Sequence, residues 1–422
     1  MTEKFMTFFS PFFHELSVDV FNSLYLLMPL WLPFFLWIIF WNKWLKYVQT
    51  DFSNKQNYKL LEIKLPIEIR KTPLAMELFL NALFQTGGET TFVDRFFYGK
   101  SRAVFSLEIV SFEGQVKFFI WTRGFWKNLI EAQIYAQYPD IEIFEVPNYT
   151  NFIKFDPNSL AMWGCEYKLE QGKGKKDFYP IKTYVDYDLE STGVKEEEKT
   201  DPITPIMEFL GSVEQGQQVW FQIIVRAHKK ERRKKLKWAE RFKKMEWTEA
   251  QSWREQGQEE IEELIKKVLV DEKDPGKGYR KMTKGEANIV SAIERSISKL
   301  SFDCNIRGIY LAEKDKFNAI NIMGLTGAFK QFNSLDLNQF KIAKATSFDY
   351  PWQDFRGMRV NKLKREIFNS FKRREFSNKF SPFVLNTEEL ATVYHFPGGV
   401  AQTPTFLRLM SKKAEPPFNL PI

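Results

Sequence analysis

The chain has 422 residues, of which 27% are charged, with a net charge of +8 and two cysteines. This length is enough for two or three domains with hydrophobic cores. Two isolated cysteines exclude a disulfide framework and a cysteine-based zinc cluster, and they favour a reducing compartment. The moderate positive charge is compatible with anionic lipid or nucleic acid as a partner but requires neither.

An uncharged run from Leu24 to Trp41 dominates the amino-terminal region. At 1.5 Å per residue it would span roughly 27 Å, close to the hydrocarbon thickness of a bilayer. A buried hairpin or a cleaved signal peptide is the alternative, but acidic residues precede the run and bulky ones follow it. We therefore predict a membrane anchor over residues 1–50, with a transmembrane helix at about 22–44. The predicted anchor residues are Leu24, Trp31, Phe35, Trp37, Trp41, Lys43 and Lys46.

Residues 57–150 show the pattern of a ferredoxin-like domain. The alternation of apolar residues, a Thr-Pro helix start and a Glu-Gly turn predict the element order βαββαβ. Two helices would then cover one face of an antiparallel sheet. The predicted elements are strand Tyr58–Leu65, helix Pro73–Phe84, strands Arg102–Phe112 and Gln115–Thr122, helix Phe125–Tyr138 and strand Ile141–Val146.

Residues 160–346 repeat this order and predict a second ferredoxin-like domain. A charged helical insertion at 228–282 interrupts its hairpin, and a helix with a Thr283–Glu286 capping box follows. Residues 347–422 are expected to form a carboxy-terminal helix and an extended docking tail. The predicted elements of the second domain are strand Trp163–Leu169, helix Asp201–Leu210, strands Gln217–Val225 and Phe302–Leu311, helix Lys316–Phe332 and strand Phe340–Ala345.

The insertion carries a basic first half and an acidic second half. Its cations would suit DNA phosphates or anionic headgroups, or they would pair with a neighbouring copy of the chain. A solvated helical hairpin is the simpler interpretation, because charge runs are usually solvated faces. The candidate contact residues are Lys229, Lys230, Arg232, Arg233, Lys234, Lys235 and Lys237.

Catalytic patterns are absent from the sequence. The glycine-lysine segments at 172–176 and 276–278 lack the phosphate-loop spacing, and the three histidines lack metal-ligand spacing. Neither cysteine lies in a nucleophile signature. We therefore predict a protein that is not an enzyme and that holds no metal and no cofactor.

Six segments distributed over about 58–422 carry a resemblance to a known family. They are PLAME at 73–77, FSLEIVS at 105–111, NLIEAQIYAQYP at 128–139, GQQVWFQI at 216–223, LNTEELATVYHFP at 385–397 and AEPPFNLP at 414–421. Together they resemble the membrane-anchored amino-terminal region of conjugative-transfer ATPases. These ATPases are related to type IV secretion coupling proteins, have motors of the FtsK-like and HerA-like class, and occur in small-genome bacteria.

The family's nucleotide-binding core would begin where this chain stops, so no Walker residue is carried over. The chain is then either an accessory subunit with a separate ATPase or a fragment of a longer one. The resemblance implies a protein of the bacterial cytoplasmic membrane. The lysines that follow the uncharged run predict a single-pass orientation with the amino terminus outside and the bulk in the cytoplasm, by the positive-inside rule. The tail would dock a partner because proline-rich ends order at low entropic cost. The candidate docking residues are Leu390, Tyr394, His395, Phe396, Pro416 and Pro417.

The predicted fold class is thus α+β, with one amino-terminal transmembrane helix followed by two ferredoxin-like domains. The predicted function is a membrane-anchored, non-enzymatic component of a type IV secretion-like apparatus that positions a separate motor ATPase, as a homo-oligomer. The alternatives are a nucleic-acid-binding membrane protein that uses residues 229–244 to hold DNA, and a self-assembling envelope scaffold.

Overall fold

The structure is a computed structural model, and it describes residues 25–66, 69, 71–88, 91–157, 159–170, 176–189, 200–229, 232–235, 248–269, 282–348, 350–376 and 382–398. These residues fall into two compact units, one made of residues up to 56 with 87–101, the other of 57–86 with 102 onward. The described α-helices are α1 (Met28–Lys55), α2 (Pro73–Ala82), α3 (Phe92–Phe96), α4 (Lys127–Gln137), α5 (Thr204–Gly211), α6 (Trp253–Leu269), α7 (Lys284–Ile297), α8 (Ile320–Gly327), α9 (Met358–Arg373) and α10 (Thr387–Val393).

Most of the strands lie where the alternation of apolar residues predicts them. One exception is the helical stretch predicted after residue 228, because residues 232–235 and 248–251 form an antiparallel pair instead. Another is Phe383–Asn386, a strand in the segment predicted to hold only a helix and an extended tail. The described strands are β1 (Tyr58–Lys64), β2 (Val104–Phe112), β3 (Gln115–Arg123), β4 (Glu142–Val146), β5 (Leu160–Leu169), β6 (Gln217–Ala227), β7 (Arg232–Lys235), β8 (Thr248–Gln251), β9 (Ser301–Glu313), β10 (Phe340–Ala345) and β11 (Phe383–Asn386).

One antiparallel sheet of nine strands forms the centre of the larger unit, in the order β10-β5-β9-β6-β2-β3-β1-β4, with β11 paired to β9. Strands β2 and β6 join its two halves, from the pair Val104–Arg226 to the pair Phe112–Gln218. The predicted fold class, a transmembrane helix and two small ferredoxin-like domains, is therefore wrong. As the edges of separate domains, β2 and β6 would each leave a row of backbone groups unpaired, and their pairing satisfies those groups.

One face of the sheet is covered by α2, α4, α5, α8 and α10. The side chains that these helices bury include Met76, Ile134, Met207, Leu325 and Leu390, all at most 1% exposed. The first helix begins at Pro73, as its Thr-Pro start predicts, because proline suits the first helical turn. This face carries the largest apolar cluster among the described residues.

The opposite face packs against α9. Ile367, Phe368 and Phe371 of the helix contact a smaller apolar cluster that includes Trp220 and Ile309 of the sheet. The rings of Trp220 and Phe371 are 5.4 Å apart. Helix α9 is thereby packed across strands β6 and β9.

A third apolar cluster lies between α6 and α7. Trp253 and Ile261 of α6 pack with Ile293 of α7. The predicted capping box at the start of α7 is confirmed, with Thr283 and Glu286 bonding each other's backbone N–H groups. Such a cap satisfies donors that the first helical turn leaves unpaired.

The smaller unit consists of α1 and α3. Trp44 of α1 donates its indole N–H to the Phe96 carbonyl at 3.0 Å, and the Trp41 and Phe96 rings are 5.4 Å apart. Gly99 has a φ of +62°, and a Cβ there would lie 2.4 Å from the Val48 carbonyl oxygen. Only glycine permits this close return of the chain onto α1.

No described helix combines the length and the apolar character that a bilayer crossing requires. The predicted transmembrane helix is therefore wrong, and so is the predicted single-pass membrane localisation. Between Met28 and Trp41 the helix covers roughly 21 Å. Pro33 and several tryptophans dilute the hydropathy of this part, and the polar Asn42 and Lys43 follow within the same helix.

Candidate functional site on helix α9

Four polar side chains form a row across the middle of the sheet, under α9. Glu108 of β2 lies opposite Gln222 of β6, Gln222 lies opposite Arg307 of β9, and Arg307 lies opposite Glu166 of β5. All four side chains are buried, with at most 3% exposure. We call these four residues the polar row. A buried charged group is costly unless it is paired, so the charged side chains of the row need partners.

Hydrogen bonds connect the members of the polar row. Gln222 Nε2 donates to Glu108 Oε1 at 3.0 Å, and Arg307 Nη1 donates to Gln222 Oε1 at 3.2 Å. Arg307 Nε donates to Glu166 Oε1 at 2.9 Å. Burial lowers the pKa of Arg307, and the charge of Glu166 acts in the opposite direction. The row is therefore a charge-assisted network within a low-dielectric interior.

The polar row also holds the carboxy-terminal end of α9. Gln222 Nε2 donates to the Phe371 carbonyl at 3.0 Å, and Arg307 Nη1 donates to the Ser370 carbonyl at 3.2 Å. The last turn of a helix leaves carbonyl groups without intrahelical partners, and these side chains supply donors for two of them. The end of α9 is thus fixed to the sheet by polar contacts as well as by packing.

Arg374, directly after α9, completes this attachment. Its φ of +52° turns the chain at the end of the helix. Its Nε and Nη2 donate to the two carboxylate oxygens of Glu108 at 2.8 and 3.1 Å, a bidentate pair. Tyr149 also donates to Glu108, at 2.7 Å, and the charge of that carboxylate helps burial to raise the pKa of Tyr149.

The outer face of α9 is basic. Its exposed cations lie opposite the buried face in the helical wheel, because they recur at three- and four-residue spacing. The only carboxylate in the helix, Glu366, pairs with Lys344 at 3.2 Å. Arg373 also approaches Glu375, but at 3.9 Å and with both groups largely exposed this pair is weak. We call the following exposed residues the basic stripe: Arg359, Lys362, Arg365 and Arg373.

The residues of the basic stripe are not among the site residues predicted from the sequence. The signal was present as cations at 359, 362 and 365 opposite apolar residues at 367, 368 and 371. That pattern predicts an amphipathic helix but does not reveal which surface buries the apolar side. The nucleic-acid prediction was based instead on the longer charge run at 229–244.

The predicted membrane-anchor residues lie in α1 of the smaller unit, except Leu24, which is outside the described residues. Phe35 and Trp37 are exposed, and the Trp37 ring stacks on Trp41 at 5.9 Å. Lys43 and Lys46 are also exposed. For Trp31 only the backbone is described, within the helix.

The predicted basic arm is described only in part. Lys230 and Lys237 lie outside the described residues, and Lys229 follows the end of β6. The backbone of Arg232, Arg233, Lys234 and Lys235 forms β7, which pairs with β8. The contact of this arm with DNA or lipid stays a prediction.

Four of the predicted docking residues are buried. Leu390, Tyr394, His395 and Phe396 are at most 1% exposed. His395 Nε2 is 2.9 Å from an Asp201 oxygen, and the charge of His395 helps to hold the pKa of that buried carboxyl below its usual value, although burial itself acts to raise it. In this conformation a partner does not reach these four side chains. Pro416 and Pro417 lie outside the described residues.

Glu389 of α10 gives the carboxy-terminal segment a pH dependence. It is fully buried, and burial raises its pKa to about 8, although the Asn386 and Ile181 backbone N–H groups donate to it. Between pH 4.5 and 8 the folded protein therefore holds a proton that the unfolded chain has released. The free energy of unfolding should fall as pH rises through this window, by at most about 1.4 kcal/mol per pH unit.

Urea unfolding at several pH values tests this dependence. Replacing Glu389 by Gln should flatten the fall, because the amide does not titrate, whatever its effect on the absolute stability. Glu294→Gln, at an exposed position on α7, is the control and should keep the slope of the parent protein. A fall that persists unchanged in Glu389→Gln would assign the titration to another group.

The two cysteines are poor nucleophiles in this structure. Burial raises the pKa of Cys165 to about 12, and burial raises that of Cys304 well above its ordinary value. At neutral pH both side chains are thiols, and the thiolate is the reactive form. Among the described residues, no group of His, Cys, Asp and Glu side chains is arranged to hold a metal ion.

Comparison with known proteins gives a family but no activity. No curated protein matches the chain. The sequence model of the family described as "Domain of unknown function (DUF8128)" matches residues 50–407, which include the whole nine-stranded sheet and α9. The chain therefore belongs to the DUF8128 family.

Proposed function

We propose that this protein is a non-enzymatic binding component of a translocation apparatus of the type IV secretion kind, and that it holds nucleic acid on the basic stripe. The observation that carries the binding role is the attachment of α9. Its apolar side packs on the sheet and its carboxy-terminal end is hydrogen-bonded to the sheet. The cations on its other side are therefore held on a preformed, rigid helix. Rigid presentation lowers the entropic cost of binding.

The shape and charge of the stripe suit a linear polyanion. Its cations extend along a helix of 16 residues, about 24 Å in length. Neutralising phosphates releases condensed counterions, so such a contact binds nucleic acid without reading its sequence. A separate motor ATPase stays the proposed partner, on the resemblance of segments such as 385–397 to conjugative-transfer ATPases.

The interior polar groups support a structural role over a catalytic one. Glu108, Gln222, Arg307 and Glu166 bond one another and the end of α9, and they lie beneath that helix. A substrate would have to displace the helix to reach them. Their contacts fit a network that positions α9.

Nucleic-acid binding by the stripe predicts a steep salt dependence. Replacing Lys362, Arg365 and Arg373 by Gln should weaken the binding of duplex and single-stranded oligonucleotides alike. The slope of log affinity against log salt should fall by about two to three units, since each lost phosphate contact contributes close to one. Fluorescence anisotropy of labelled oligonucleotides between about 50 and 200 mM salt measures both effects.

A matched variant controls for net charge. Lys284, Lys314 and Lys330 are exposed lysines that are not part of α9, and replacing all three by Gln removes the same charge. This control should keep the affinity and the slope of the parent protein. Equal losses in the two triple variants would reduce the effect to net charge and contradict a site on α9. Absence of any binding by the parent protein would contradict the proposed function itself.

A further inference from the structure

Four large apolar side chains, three of them aromatic, are exposed just before α9 and at its first residue. Tyr350, Trp352, Phe355 and Met358 are between 51% and 78% exposed, and they lie within nine residues of chain. We call these four residues the aromatic platform. Single exposed apolar residues are ordinary on protein surfaces, but a group of this kind beside a charged helix marks an interaction site.

The rings of the platform are arranged for stacking. Tyr350 and Trp352 stack at a centroid distance of 4.5 Å and an interplanar angle of 13°. The Arg356 guanidinium lies over the Phe355 ring at 5.1 Å. Flat, exposed aromatic faces with neighbouring guanidinium groups provide surfaces on which unpaired bases stack.

The backbone of the platform is held in place by α9. Asp354 accepts hydrogen bonds from the backbone N–H groups of Arg359 and Val360 at 2.7 and 3.2 Å. Arg359 Nη1 donates to the Gln353 carbonyl at 2.9 Å. Arg356 and Gly357 both have positive φ, 54° and 74°, and they turn the chain between the platform and the helix. The platform is therefore fixed next to the first cation of the basic stripe.

We propose that the aromatic platform and the basic stripe together bind single-stranded nucleic acid. Bases stack on Trp352 and Phe355, and the phosphates of the same strand contact Arg359, Lys362 and Arg365. This proposal deepens the proposed function and rests on it, because the stripe supplies the electrostatic part of both. A duplex keeps its bases stacked internally, so only a single strand gains from the platform.

An anionic membrane is the competing occupant, and the structure favours nucleic acid. An interfacial helix inserts its apolar face between lipid headgroups. The apolar face of α9 is already packed against the sheet through Ile367, Phe368 and Phe371. Beyond Met358, the exposed side of α9 carries a line of cations, which matches a linear polyanion more closely than a planar surface.

The test compares a single strand with a duplex. The probes are a labelled oligothymidylate of about 15 nucleotides and a duplex of equal length, a size within the range of known single-strand sites. The protein without substitutions should bind the single strand more tightly. Trp352→Ala with Phe355→Ala should weaken single-strand binding at least about fivefold and leave duplex binding unchanged.

A matched control and a lipid arm separate the possible outcomes. Phe152 is 74% exposed outside the platform, and Phe152→Ala should change neither affinity. Suppose that the triple variant with Lys362, Arg365 and Arg373 replaced by Gln loses binding while Trp352→Ala with Phe355→Ala keeps its single-strand affinity. In that case the platform proposal is wrong and the proposed function stands. If vesicles containing phosphatidylserine bind through the platform and the oligonucleotides do not, both proposals are wrong.

Discussion

Replacing Arg374 by Met should lower the free energy of unfolding by about 3–5 kcal/mol at neutral pH. The substitution removes the bidentate partner of Glu108 and leaves a fully buried carboxylate without its counter-charge. Breaking a buried ion pair in this way costs far more than the pair contributes, because the remaining charge stays desolvated. Urea unfolding followed by circular dichroism measures the loss.

The neighbouring Arg373 supplies the control. It is 66% exposed in its side chain, and Arg373→Met should change stability by less than about 0.5 kcal/mol. The double variant Arg374→Met with Glu108→Gln should recover part of the loss, since the stranded charge is removed. Equal effects of Arg373→Met and Arg374→Met would show that the buried pair does not hold the end of α9.

Replacing Leu390 by Ala should lower the free energy of unfolding by about 2–5 kcal/mol. The side chain is fully buried, and α10 packs against α2 in the main core. Removing it leaves a cavity whose cost adds to the lost transfer free energy. Urea unfolding measures this loss of stability as well.

Leu78 on α2 is the matched exposed leucine, at 48% exposure, and Leu78→Ala should be nearly neutral. This comparison also decides between two roles for the carboxy-terminal segment. If Leu390 docked a motor ATPase from the surface, its loss would abolish co-purification with that ATPase and leave stability unchanged. That result would contradict the buried placement of α10.

Local patterns in the sequence were sufficient to predict most of the helices and strands of the larger unit. The alternation from Tyr58 and the turn at Glu113–Gly114 locate strands whose ends agree with the structure within a few residues. The helix predicted at 316–332 is shorter in the structure, where α8 covers only Ile320–Gly327. The prediction of a helix after residue 228 is wrong, because residues 232–235 and 248–251 form a pair of antiparallel strands.

The amino-terminal prediction is wrong although the run from Leu24 to Trp41 consists largely of leucine, isoleucine and phenylalanine. Helix α1 begins at Met28, and Asn42 and Lys43 follow the run without a break in the helix. The uncharged part of α1 therefore covers roughly 21 Å, which is less than the hydrocarbon thickness of a bilayer. The run by itself does not show where the helix begins.

The sequence by itself determined most of the strands of the larger unit and the starts of helices α2 and α7, because these depend on residues close together along the chain. Only the tertiary structure decided that β2 pairs with β6. It also decided that Glu108, Gln222, Arg307 and Glu166 meet in one row, although they are spread over about 200 residues. Pairing between distant strands depends on register and on the whole core. For the same reason the basic stripe became visible only once α9 was seen to bury its other face.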